Sequence, residues 1–130
     1  MSQRSSKIIV APSILGGRGV MAIDDIMKGE VLEICPVIVI PHSDVSKIHN
    51  SVLHDYYFIW GDDELQAAIA LGFGSMYNHA THPNAEYEMD FEQETIDFYA
   101  LIDIPAGTEI TINYNGKSGN IDSLWFTTKE

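Results

Sequence analysis

Three short stretches hold the residues best suited to chemistry. The first, residues 74–84, contains Asn78-His79 and then Pro83-Asn84. Asparagine and histidine carry donors and acceptors on short side chains, which suits them to ordering an irregular loop and gripping a polar ligand. Pro83 would stiffen that loop. The second, residues 108–114, reads as a strand that ends in Asn113-Tyr114. A tyrosine placed there is ordinarily half-buried with its hydroxyl hydrogen-bonded. The third, Gly17-Arg18-Gly19, precedes a strand, where glycine supplies positive φ without steric cost. His79 and His82, with Glu86 and Glu88 nearby, have the atom types of a metal site. Two histidines three apart share a face only on a helix, and Pro83 argues against one, so no metal is expected. No Gly-x-Ser-x-Gly elbow, Walker loop or dinucleotide fingerprint is present.

The elements that must position these residues read as short strands cut by frequent turn residues, which predicts a mainly β fold. Residues 19–23 form a short strand, and Asp24-Asp25 turns it towards Lys28-Gly29-Glu30. Residues 31–40 are rich in Val and Ile, with Pro36 pointing to an edge or a bulge. Residues 42–51 read as a polar surface loop that could include one helical turn, and their histidines, like His54, as surface residues. Residues 52–60 carry Tyr56, Tyr57, Phe58 and Trp60, and their period does not choose between strand and short helix. Residues 65–71 are the better helix candidate, ending near Gly72. Residues 86–90 and 96–102 make a hairpin around Glu92-Gln93-Glu94. Residues 104–107 then turn into the last core strand, 109–114, before a Gly-containing connection and a tail with Leu124, Trp125 and Phe126.

Size and charge limit the rest. The 130 residues, 45% hydrophobic, make one domain able to bury a core without staples. A single cysteine, Cys35, cannot form an internal disulfide or a structural zinc site. Residues 1–6, Met1-Ser2-Gln3-Arg4-Ser5-Ser6, lack the apolar run of a signal peptide and are expected to be flexible. No segment is apolar enough to span a bilayer, so a soluble intracellular protein, cytoplasmic, nuclear or delivered to a host cell nucleus, is the expectation, with no membrane partner. Seven Lys and Arg against 19 Asp and Glu give a net charge of −12. Such a chain repels nucleic acid and attracts basic peptides over long range.

Taken in order, Gly17-Arg18-Gly19 with Val20 and Ala22, Asn78-His79 with Pro83-Asn84, and the Tyr114 strand resemble the SET-domain protein lysine methyltransferases. Compact viral members are the most similar, through residues 15–20, Asp55-Tyr56, residues 70–74 and residues 111–116. Two departures stand out: Ala80-Thr81 replaces the usual Ser-Cys, and Asn113 stands where the family most often has Asp. The resemblance implies one SET domain over residues 1–130, made of small sheets of short strands with few short helices and a C-terminal pseudoknot. It implies S-adenosylmethionine as cofactor, bound by Gly17, Arg18, Gly19, Tyr77, Asn78, His79, Tyr114 and Trp125. Tyr114 would be the catalytic residue. Tyr56, Tyr57 and Tyr99 would line the substrate channel, and residues 115–130 would complete the active site.

The implied reaction is methyl transfer to the ε-nitrogen of a lysine in a basic protein tail such as a histone tail. Reacting atoms held in line supply much of the rate of such a displacement. The lysine must first lose its proton, and a dry channel favours that loss without a dedicated base. The viral resemblance also brings a homodimer as an expectation, for which the residues give no independent sign. The competing reading is a SET-fold binding module that has lost catalysis.

Overall fold

The structure, a computed structural model, describes residues 3–114. In chain order these form β1 (Ile8–Pro12), β2 (Arg18–Ala22), β3 (Val31–Ile40), helix α1 (His42–His49), a 3-10 turn (Val52–Asp55) and β4 (Tyr57–Trp60). There follow β5 (Gln66–Ala70), a second 3-10 turn (Gly74–Met76), β6 (Asn78–His79), β7 (Ala85–Asp90), β8 (Thr95–Ala100) and β9 (Glu109–Ile112). Two sheets result. One has the order β1-β2-β9-β6 and the other β4-β5-β3-β8-β7. The protein is mainly β, as its turn-punctuated sequence predicts.

The long strand β3 serves both halves of the larger sheet. Its first half pairs with β8, from Val31 opposite Tyr99 to Pro36 opposite Thr95, and its second half pairs with β5. Pro36 lacks an N–H and sits where β3 changes partners, while its carbonyl accepts from Leu71 N–H at 3.0 Å. The irregularity in β3 lies instead between Val31 and Glu33.

Two local expectations are corrected, and one left open is resolved. Residues 65–71, read as helical, are strand β5. Its alanines are held between β3 and β4, and Ala67, Ala68 and Ala70 are all buried. Pairing on both sides overrides a weak helical preference, and small side chains let α1 pack closely on the strand. Residues 42–51, read as a loop, contain the eight-residue helix α1. Asp44 in its first turn and Lys47 and His49 in its last complement the helix dipole. The His42 ring N–H donates to the Leu65 carbonyl at 3.0 Å, which ties the helix to the turn before β5. Residues 52–60 are both things at once, a 3-10 turn followed by a strand.

The core follows the two-residue period of the strands. Ile96, Phe98 and Ala100 on β8 point inward with Val20 and Ala22 on β2 and Ile110 and Ile112 on β9. Residues 3–6, expected to be flexible, lie along β3. Ser5 N–H donates to the Leu32 carbonyl at 2.8 Å, and Ile34 N–H donates to the Gln3 carbonyl at 2.9 Å. The Arg4 guanidinium lies 3.9 Å above the Phe73 ring and 3.6 Å from Glu33 Oε2.

Candidate functional site

Strand β9 organises the site. It comes late in the chain yet lies between β2, antiparallel to it, and β6, parallel to it, with Asn78 beside Thr111 and His79 beside Ile112. The loop after β6 is laced to the same strand. Ala80 N–H donates to the Ile112 carbonyl at 2.9 Å. The Asn84 side chain uses both its groups: Nδ2 donates to the Glu109 carbonyl and Oδ1 accepts from Thr111 N–H, each at 2.9 Å. Pro83, buried, precedes this clamp. The two departures from the family pattern meet here as well, because Asn113 Nδ2 donates to the Thr81 carbonyl at 3.3 Å. Aspartate at 113 would have no proton to give to that carbonyl.

At the first end of β9, four polar groups meet beside Gly19. Asn78 Nδ2 donates to Glu109 Oε2 at 2.6 Å, with Ser13 Oγ at 3.1 Å and the Arg18 carbonyl at 3.2 Å. Ser13 Oγ donates to Glu109 Oε1 at 2.6 Å and accepts from Leu15 N–H at 2.9 Å. Gly17 turns the chain into β2 at φ +60°. Gly19 is buried, and a Cβ on it would run into Glu109 Oε2 and come within 2.8 Å of Asn78 Nδ2. The Arg18 side chain is exposed. Ser13 and Glu109 went unremarked in the sequence. Their signal was faint: a serine in the turn before Gly17-Arg18-Gly19, and an acidic residue at the start of a predicted core strand.

Tyr114 follows the other end of β9. Its N–H donates to His79 Nδ1 at 3.1 Å, so Nδ1 carries no proton there, and the two rings lie parallel with centroids 6.0 Å apart. Its hydroxyl donates to the Tyr77 carbonyl at 2.7 Å. Phe58 packs at 5.4 Å between centroids, and the Tyr87 hydroxyl donates to the Tyr114 carbonyl at 3.2 Å. Burial raises the pKa of the Tyr114 phenol above the usual tyrosine range, and Tyr87, Tyr56 and Asp55 push the same way. Tyr114 is thus a hydrogen-bond donor in a low-polarity setting, not a source of phenolate at neutral pH. Phe58 and Tyr87, not singled out from the sequence, belong to this aromatic group together with Tyr56.

Other expected site residues are placed elsewhere. Tyr57 lies on the opposite face of β4 from Phe58, with its hydroxyl 2.8 Å from His49 Nδ1. Tyr99 lies on the opposite face of β8 from Phe98 and donates to Glu86 Oε2 at 3.0 Å. Burial and then that bond raise its hydroxyl to about 12. Neither is brought to Tyr114. The Tyr77 side chain also points away, into the core, where its ring stacks on Phe98 at 4.5 Å, so its carbonyl is what meets Tyr114. Trp125 lies outside the described residues. The Tyr77 hydroxyl has no hydrogen-bond partner and sits near Glu33 and Cys35. Burial raises both the Glu33 carboxyl and the Cys35 thiol, which leaves the thiol inert. Among the described residues no helix is long and apolar enough to cross a membrane.

An inserted strand that joins a Gly-Arg-Gly turn, an Asn-His pair and a terminal tyrosine is the arrangement of a SET domain, and the chain belongs to that family. The family model, described as SET domain, matches residues 17–115. Over 111 residues the chain is 33% identical to the histone-lysine N-methyltransferase, H3 lysine-37 specific, of Schizosaccharomyces pombe, which covers 85% of this chain and 70% of that protein. A solved structure of a candidate histone methyltransferase from Plasmodium falciparum superposes with a TM-score of 0.70 at 32% identity, over 85% of this chain and 94% of that one. A chain of the Chaetomium thermophilum Polycomb Repressive Complex 2 matches 92% of this chain and 16% of its own length, with a TM-score of 0.71. At 24% identity that last likeness speaks for the fold alone. The protein is therefore a SET-domain protein related to histone-lysine methyltransferases.

Proposed function

We propose that this protein is an S-adenosylmethionine-dependent protein-lysine N-methyltransferase acting on a lysine in a basic protein tail. The observation that carries the reading is the pairing of two sites on one strand. Beside Glu109, at one end of β9, lie Gly19 and the Asn78 amide; just beyond the other end stands Tyr114 among Phe58, Tyr87 and His79. The first site fits the amino-acid end of S-adenosylmethionine, because the Asn78 amide and the backbone of the Gly17-Arg18-Gly19 turn bring polar groups together there. Gly17, Gly19, Asn78 and His79 would hold the cofactor, which supplies an activated methyl group on its sulfonium. Tyr114 would orient the lysine nitrogen through its hydroxyl and ring, and Tyr56 would form a wall beside it. Trp125 is our candidate for the C-terminal aromatic that completes the site, by resemblance to the compact viral members.

A histone tail is the substrate class to try first. The Schizosaccharomyces pombe relative carries histone H3 in its name, and a net charge of −12 draws a basic tail over long range. The test is isothermal titration with S-adenosylmethionine, with Asn78→Ala as the control. Saturable binding that the variant weakens about tenfold or more is expected, since a hydrogen bond to a charged group is lost. A folded protein that gives no heat at millimolar cofactor would instead be a binding module.

Chemistry at the aromatic group carries a pH expectation. Phe58, Tyr87 and Tyr114 exclude water around an incoming amine, which lowers its pKa from the solution value of about 10.4. Only the neutral amine reacts. Initial rates at saturating substrate should therefore rise as pH goes from neutral to alkaline. A profile flat over that range would remove deprotonation from the rate-limiting sequence.

A further inference from the structure

We infer that Glu109, supported by Ser13, is a positioning residue: it fixes the Asn78 amide so that its oxygen faces a ligand bearing a cationic N–H donor. The inference rests on the methyltransferase reading for the identity of that ligand. Its geometry stands on the network beside Gly19.

Three acceptors surround Asn78 Nδ2: a carboxylate oxygen at 2.6 Å, a hydroxyl at 3.1 Å and a backbone carbonyl at 3.2 Å. The Ser13 hydroxyl spends its own proton on Glu109 Oε1, so towards Asn78 it can only accept. An amide turned the other way would aim its oxygen at all three. Chemistry, then, dictates that nitrogen faces the network and oxygen faces out. That oxygen accepts no hydrogen bond from any described residue, although Asn78 is only 2% exposed.

Charge supports the same ligand. Among the described residues the ion pairs are Arg4 with Glu33, Lys7 with Glu30 and Lys47 with Asp44, and none involves Glu109. The Glu109 carboxylate is thus held by two neutral donors behind an unpartnered amide oxygen. A ligand ammonium at that oxygen would satisfy the amide and lie close to a negative charge. The network also explains Gly19 from behind: a side chain there would occupy the space that Glu109 and Asn78 fill. S-adenosylmethionine carries an α-ammonium with N–H donors, whereas its sulfonium has none, so only the ammonium can use this acceptor.

The test compares S-adenosylhomocysteine with its desamino analogue, titrated calorimetrically into the wild type, Glu109→Ala, Glu109→Gln and Ser13→Ala, with a thermal melt of each. A ratio of two affinities within one variant cancels any general loosening of the fold. The wild type should prefer the amino ligand by about tenfold or more, and Glu109→Ala should cut that preference to about threefold or less. Glu109→Gln, which keeps an acceptor for Asn78 Nδ2 but loses the charge, should fall between. An unchanged ratio in Glu109→Ala overturns the inference. If that variant does not fold, an unchanged ratio in both Glu109→Gln and Ser13→Ala overturns it equally. A wild type that binds both ligands alike refutes the ammonium role and leaves the methyltransferase reading standing. A wild type that binds neither refutes that reading, and this inference with it.

Discussion

Tyr114→Phe is expected to lower turnover about a hundredfold, the scale seen when one positioned hydrogen-bonding group is removed from a reaction centre. Cofactor affinity should stay within about threefold, because the hydroxyl removed lies with the aromatic group and not beside Gly19. The ring has reason to stay in place. Phe58 packs on it, His79 lies parallel to it, and the Tyr114 backbone is held at both N–H and carbonyl by His79 and Tyr87. The substitution therefore removes one hydroxyl and leaves the Tyr77 carbonyl without that donor. Loss of one such bond costs about 1 kcal/mol of stability, too little to unfold a domain of this size. Rate and melting temperature can be read on the same sample. Full activity in a folded Tyr114→Phe protein would remove the hydroxyl from the mechanism.

Much of this arrangement was legible because the informative residues are local in sequence. Gly17-Arg18-Gly19, Asn78-His79, Pro83-Asn84 and Tyr114 each lie in a short segment whose residue types announce a turn, a polar loop or a strand end. What residue type alone misses is the direction in which a side chain faces. The resemblance implies Tyr56, Tyr57 and Tyr99 as channel aromatics, yet successive residues in a strand point to opposite faces. Phe58 therefore faces Tyr114 while Tyr57 faces His49, and Phe98 faces the core while Tyr99 faces Glu86. The same period applied to residues 56–60 and 95–100 would have marked Phe58 as the partner. Glu109 and Ser13 were harder to find. They are 96 residues apart, and only the insertion of β9 beside β2 and β6 brings them together. The helix expected over residues 65–71 failed because an alanine-rich segment takes its structure from its neighbours, here two flanking strands.

Asn84 should be the residue whose loss most disturbs stability and site together. Its amide bridges the Glu109 carbonyl and the Thr111 N–H, so it fastens the loop after β6 to the backbone of β9. Asn84→Ala would strip both backbone groups of their partners in a partly buried setting, at about 2 kcal/mol in total. For a domain of this length that lowers the melting temperature by roughly 8 °C. Asn84→Asp is the sharper variant. It keeps an acceptor for Thr111 N–H but sets a carboxylate oxygen against the Glu109 carbonyl, so it should rescue little of the loss. Cofactor affinity should fall with stability in both variants, because β9 carries Glu109 into the Asn78 network and leads to Tyr114. A melting temperature within about 1 °C of wild type in Asn84→Ala would show that the clamp contributes little, since a measurable hydrogen bond exceeds that shift. A lowered melting temperature with unchanged cofactor affinity would separate the two roles, leaving Asn84 as an anchor of the strand whose register the site does not need.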